Sequence, residues 1–146
     1  MLCDRVNQYS VVQCPSCPLS GNQDHLVLFP EIKTNPFCLG YVPINLLGAY
    51  SVSKTALLGL TKVVSSAVCD NNIRVNGVAP GIIQTKFSAA LWQNEHVAEQ
   101  TKEQIPLGKF GEAKDIAGVT SFLCSEDAAY ITGETIVAAG GMTSHL

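Results

Sequence analysis

The stretch "GAYSVSKTALLGLTKVVSSAVCDNNIRVNGVAPG", residues 48–81, decides the fold. Its first part carries Ala56, Leu57, Leu60, Val63, Val64, Ala67 and Val68 at helical spacing. That pattern predicts a helix from Gly48 to about Cys69 with one broad apolar stripe. The "DNN" at 70–72 ends it. "IRVNGVA", 73–79, then reads as a short buried strand, stopped by Pro80-Gly81.

Downstream, a loop and helix are predicted over 85–104, carrying Phe87, Leu91, Trp92 and Val97 and broken by Pro106 and Gly108. "GEAKDIAGVTSFLCS", 111–125, predicts a second amphipathic helix with Ile116, Val119, Phe122 and Leu123 on one face. Thr132-Gly133 turns the chain into a final strand within "ETIVAAGG", 134–141. Upstream, residues 1–38 are rich in Cys, Pro, Asn and Gln, and "HLVLF" at 25–29 is their one clear strand. The chain thus divides into a poorly patterned segment 1–38 and a strongly patterned portion 39–146. Helices alternating with short strands give an α/β class, and crossovers of this length imply parallel strands. With two strands plus "HLVLF", the reading expects a minimal sheet with an exposed edge.

Apolar residues make up 47% and charged residues 14%, which suits a buried core and excludes a disordered chain. The net charge is −3 with no basic run, so nucleic acid is not an expected partner. No run of about 18 apolar residues predicts a membrane span. The start, "MLCDRVNQYS", lacks the apolar core of a signal peptide. Six cysteines occur, and the expectation is reduced thiols in an intracellular protein. Cys14 and Cys17 form a C-x-x-C, but Cys3, His25 and Cys38 lie at irregular spacings for zinc. Pro18 and Ser20-Gly21 argue against a redox helix there. No metal site is expected.

Tyr50 and Lys54 lie four apart, neighbours on one helix face. An ammonium about 4 Å from a phenolate, at an effective dielectric of about 20, is worth roughly 4 kcal/mol. That is enough to draw a phenol from its ordinary pKa of about 10 toward neutrality. Such a phenol could exchange a proton with a carbonyl or alcohol oxygen as hydride moves to or from a cofactor. Chance also places a tyrosine and a lysine at this spacing on many helices. No glycine-rich turn follows any strand, so no phosphate cradle is visible in these residues.

Three ordered blocks carry a more specific signal. "AYSVSKTALLGLTK", "NNIRVNGVAPGIIQT" and "GKFGEAKDIAGVTSFLCSEDAAYITGETIVAAGG" together resemble the short-chain dehydrogenase/reductase family, closest to its peroxisomal NADP(H)-dependent carbonyl and retinal reductases. The likeness covers about residues 39–146, the C-terminal part of such an enzyme. It implies a truncated Rossmann-like fold with few parallel strands and packed helices. It also implies oxidoreductase chemistry on a small carbonyl or alcohol, with NADP(H) or NAD(H).

By this resemblance Tyr50 is the catalytic acid/base, and Lys54 its partner, which also holds the nicotinamide ribose. Pro80, Gly81, Ile83 and Thr85 lie beside the nicotinamide, through the Ile83 backbone and the Thr85 hydroxyl. Without the family, Pro80-Gly81 reads as a strand-ending turn. Phe87, Leu91 and Trp92 either line an apolar substrate pocket or pack one face of a surface helix.

The chain departs from the family's pattern at several points. The family places a serine 13 residues before the tyrosine, and Phe37 stands there. The glycine-rich turn and the first half of the Rossmann domain have no counterpart. The expectation is therefore weak or lost cofactor binding and impaired activity. The alternative is a catalytically inactive fragment that binds full-length subunits of the family, as a homo- or hetero-oligomer, through its interface helices. Ser144-His145-Leu146 is close to the S-K-L signal, implying a peroxisomal import receptor as partner and a peroxisomal location, otherwise cytoplasmic.

Overall fold

A computed structural model describes residues 5–6, 9–13, 24–30, 48–86 and 88–142. Phe37, Phe87, the Cys14–Cys17 pair and the tail Ser144-His145-Leu146 lie outside the described residues. Strands β1 (Arg5–Val6), β2 (Tyr9–Gln13) and β3 (Asp24–Pro30) precede helix α1 (Gly48–Val68). Strand β4 (Ile73–Pro80), helices α2 (Ala89–Trp92), α3 (Glu95–Glu103) and α4 (Ala113–Leu123), and strand β5 (Thr135–Ala138) follow.

One five-stranded sheet runs in the order β1-β2-β3-β4-β5. β4 pairs parallel with β3, Asp24 opposite Ile73, and with β5, Gly77 opposite Thr135. The two crossovers are thus parallel, as the helix–strand alternation predicts. β1, β2 and β3 pair antiparallel, so the sheet is mixed and larger than the sequence suggests. Two strands of the early segment escape the pattern because they are short and lack clean alternation.

β4 is the axis of the core, buried from Arg74 to Pro80. Its side chains alternate between two layers, as a pleated strand requires. Ala79 joins Leu57 and Val137 under α1. Val78 joins Ile83, Ile116, Leu123 and Ala128 under α4. β4 also buries two polar side chains, and both find partners at the α4–β5 turn. Arg74 donates to the carbonyl oxygens of Ile131, Leu123 and Ser125. Burial lowers its pKa from the ordinary guanidinium value, while the nearby Cys124 and Glu126 pull it back up. Asn76 donates to Ile131 O at 2.8 Å and accepts from Glu134 N at 3.2 Å, so both ends of its amide are satisfied. Asn76→Ala is expected to destabilise the fold by about 1–2 kcal/mol in urea unfolding, because it removes both bonds and leaves Glu134 N without this acceptor, while Ile131 O keeps its bond from Arg74.

α1 differs from its predicted orientation. Its buried residues are Ser51, Lys54, Leu57, Thr61 and Ser65. Of the predicted stripe only Leu57 is buried, while Ala56, Leu60, Val63 and Ala67 face outward. Close packing explains the choice. A Cβ on Gly133 would lie 2.8 Å from Ser65 Oγ, so only a small side chain fits at this position of the helix. The inward hydroxyls bond to their own helix, Thr61 to Leu57 O and Ser65 to Lys62 O, each at 2.9 Å. The span Gly48–Asn71 is long and apolar enough to match a membrane crossing, yet here it covers the sheet. It ends where Asn72 turns left-handed at φ 60°, a conformation asparagine tolerates, which bears out the stop at "DNN".

The helix predicted over 85–104 is two helices. Asn94 interrupts it, its side-chain oxygen accepting from His96 N and Val97 N as an N-cap. α4 forms as predicted, with Asp115 accepting from Glu112 N at 2.7 Å, but Phe122 is 42% exposed and off the core face. β5 stops at Ala138, and Gly140 and Gly141 follow at positive φ. Neither Cys69 nor Cys124 forms a disulfide.

Candidate active site

Tyr50 and Lys54 share the inward face of α1. Lys54 is only 7% exposed, and its Nζ lies 4.9 Å from the centre of the Tyr50 ring. α1 runs antiparallel to β4. Ser65 sits by Gly133, whose N–H bonds to Val75 O, and Leu57 packs on Ala79. Those eight helical residues rise about 12 Å, and four strand residues about 13 Å, so the two advance together. Extending the register by one to two turns carries Lys54 and then Tyr50 to the C-terminal end of β4. Pro80-Gly81 leave the sheet there, the end at which open α/β sheets hold ligands.

The chain beyond Gly81 is tightly held. A Cβ on Gly81 would lie 2.7 Å from Ala139 Cα, so glycine is required where β4 passes the end of β5. Ile83 bridges to Gly111, with Gln84 N donating to Gly111 O and Gly111 N to Ile82 O. Gly81, Ile83, Ile105, Phe110 and Gly140 line a cleft of about 230 Å³, with Lys109 and Asp115 also on its lining. Tyr50, Lys54, Leu91 and Trp92 are not on that lining.

Thr85 belongs to a knot that sequence reasoning missed. Its backbone N–H donates to Ser88 Oγ at 3.0 Å, and Ser88 N donates to Thr85 Oγ1 at 3.3 Å. Trp92 Nε1 reaches Thr85 O and Ser88 Oγ, both at 3.2 Å. The indole packs against the cluster of Ala98, Ile105 and Phe110, while Leu91 is half-buried. The spacing Thr85-x-x-Ser88 was the available signal, since such hydroxyl pairs form local turns. Ser51 was also missed: it is 3% exposed, and its Oγ has no hydrogen-bond partner among the described residues.

Tyr50 and Lys54 thus form a phenol–ammonium pair on one face of α1, and Thr85 carries a hydroxyl held in place by Ser88. The family model described as enoyl-(acyl carrier protein) reductase, a short-chain dehydrogenase/reductase type, matches residues 38–143. The chain belongs to the short-chain dehydrogenase/reductase family. Dehydrogenase/reductase SDR family member 4 of Bos taurus is 52% identical over 106 residues, 73% of this chain and 38% of that relative. The chain therefore spans under two-fifths of the length of that relative. Among solved structures of the family, 4-hydroxyisoleucine dehydrogenase complexed with NADH is similar at a TM-score of 0.74 and 30% identity, over 84% of this chain and 48% of that one. An NADPH-dependent reductase involved in bacilysin biosynthesis aligns at 0.67 and 33%, over 74% and 44%. These bear out the Rossmann-like α/β class of this family member.

Proposed function

We propose that this chain carries the proton-transfer pair and the nicotinamide-side loop of an NAD(P)(H)-dependent oxidoreductase of carbonyls and secondary alcohols. The carrying observation is the Lys54 ammonium 4.9 Å from the centre of the Tyr50 ring on a buried helix face. A nicotinamide held there would supply the hydride for the carbonyl carbon, or receive one from the alcohol carbon. Tyr50 Oη gives its proton to the carbonyl oxygen as the carbon is reduced, and takes it back from the alcohol in reverse. Lys54 stabilises the phenolate through its charge and is placed to hold the nicotinamide ribose hydroxyls. The Ile83 backbone and Thr85 hydroxyl orient the carboxamide. The similar 4-hydroxyisoleucine dehydrogenase complexed with NADH and the NADPH-dependent reductase support the cofactor class.

With Phe37 where the family has a serine, the carbonyl lacks one polarising donor, which costs about 10²–10³ in rate. Slow turnover and weak binding are expected. Titration of NADPH and NADH against the purified chain, read by nucleotide fluorescence, tests the reading. Sub-millimolar binding (Kd below about 1 mM) supports it, and no binding at that concentration overturns it.

A second reading is favoured by one observation: α1 turns Val52 (70% exposed) and Val63 (67% exposed) outward, with Leu60 between them. A helix with this outer face is suited to bury it against a second copy or another subunit of the family. Val63→Glu is expected to shift sedimentation from dimer or larger to monomer, with the circular dichroism spectrum unchanged. An unsubstituted chain that sediments as a monomer at about 100 μM refutes this reading.

A further inference from the structure

We propose that Ser88 is a positioning residue that presets the Thr85 hydroxyl as a hydrogen-bond donor toward the nicotinamide end of the cofactor, a proposal that rests on the reading above. A serine hydroxyl has one proton and two acceptor lone pairs. Its nearest acceptor is Ile83 O at 2.5 Å, far closer than Thr85 O at 3.3 Å, so the proton points at Ile83. Both lone pairs are then filled, by Thr85 N at 3.0 Å and by Trp92 Nε1 at 3.2 Å.

The consequence falls on Thr85. Its Oγ1 lies 3.3 Å from Ser88 Oγ, but that oxygen has no lone pair left to accept. Thr85 Oγ1 instead accepts from Ser88 N at 3.3 Å. The Thr85 hydroxyl proton is thereby turned away from the knot and offered to an acceptor outside it. A carboxamide carbonyl or a phosphate oxygen meets that requirement, and an amine donor does not. The same bonds fix the 83–85 backbone, and the Trp92 ring anchors the knot to the cluster of Ala98, Ile105 and Phe110. Ser88 thus acts through Thr85 and is placed to touch no ligand itself.

The test is a double-mutant cycle on the full chain. The probes are NADPH and reduced nicotinamide mononucleotide, read by the emission of the reduced nicotinamide ring. Ser88→Ala is expected to weaken both about tenfold, and Ser88→Thr to restore binding to within about threefold. In a Thr85→Val background, Ser88→Ala is expected to change affinity less than about twofold, which a general loss of packing would not reproduce. Unchanged binding in Ser88→Ala, or full additivity with Thr85→Val, overturns the role of Ser88 and leaves the proposed function standing. Failure of the unsubstituted chain to bind either probe overturns both. If Ser88→Ala does not fold, Trp92→Phe takes its place in the cycle. It keeps the ring and removes one donor, and it is expected to cost about threefold alone and nothing beyond Thr85→Val; an equal cost in both backgrounds overturns the role.

Discussion

Arg74→Ala is expected to lower the folding stability by about 3–5 kcal/mol, enough to unfold much of the population of a domain this size at 37 °C. The guanidinium is 5% exposed and meets the carbonyl oxygens of Ile131, Leu123 and Ser125. Those three groups close the C-terminal end of α4 and the turn into β5. Alanine removes all three donors and leaves a cavity between β4 and the turn. Leu123 O then loses its described side-chain donor, at a cost of about 1–3 kcal/mol, while Ile131 O keeps Asn76 and Ser125 O keeps Ala128 N; the cavity and the two further lost bonds supply the rest. Arg74→Met separates packing from hydrogen bonding, because it fills much of the volume and donates nothing. Urea unfolding of the three chains decides the matter. Equal midpoints for the methionine and arginine chains would show that the stem, not the guanidinium, holds the turn.

Tyr50→Phe is expected to slow single-turnover oxidation of NADPH by a small carbonyl about 10²–10⁴-fold. Its NADPH affinity should change less than about twofold, because in the proposed function the phenol would act on the reacting oxygen and not on the ribose. Lys54→Met should lower both rate and affinity, since in the proposed function the ammonium would serve the phenolate and the ribose together. Methionine matches the lysine stem closely enough to keep the inner face of α1 packed, where Lys54 is 7% exposed. Equal loss of affinity in both variants would place Tyr50 among the binding groups and remove its proton-transfer role.

Much of this arrangement is legible from residues 48–81. The helical spacing, the stop at Asn72 and the buried run to Pro80 all correspond to structure, because each depends on local sequence alone. Tyr50 and Lys54 come together for the same reason, as neighbours one turn apart. The face that α1 buries was not legible. Hydrophobicity points to Leu60 and Val63, but Gly133 and Ala79 set how closely the helix approaches, and small hydroxyls fit that gap. The antiparallel pair β1–β2 was missed because strands so short carry little periodicity. The Thr85–Ser88 turn was signalled by its spacing, but its closure by Trp92, folding back seven residues, is a tertiary arrangement that no spacing rule reports.

β5 is the last strand of the sheet order and only four residues long. The paired glycines that follow it, at φ 64° and 85°, swing the chain out of the extended conformation at once. A rim this brief offers an incoming strand few backbone groups to zip onto, so the fold resists recruiting foreign chains into amyloid-like stacks along that side.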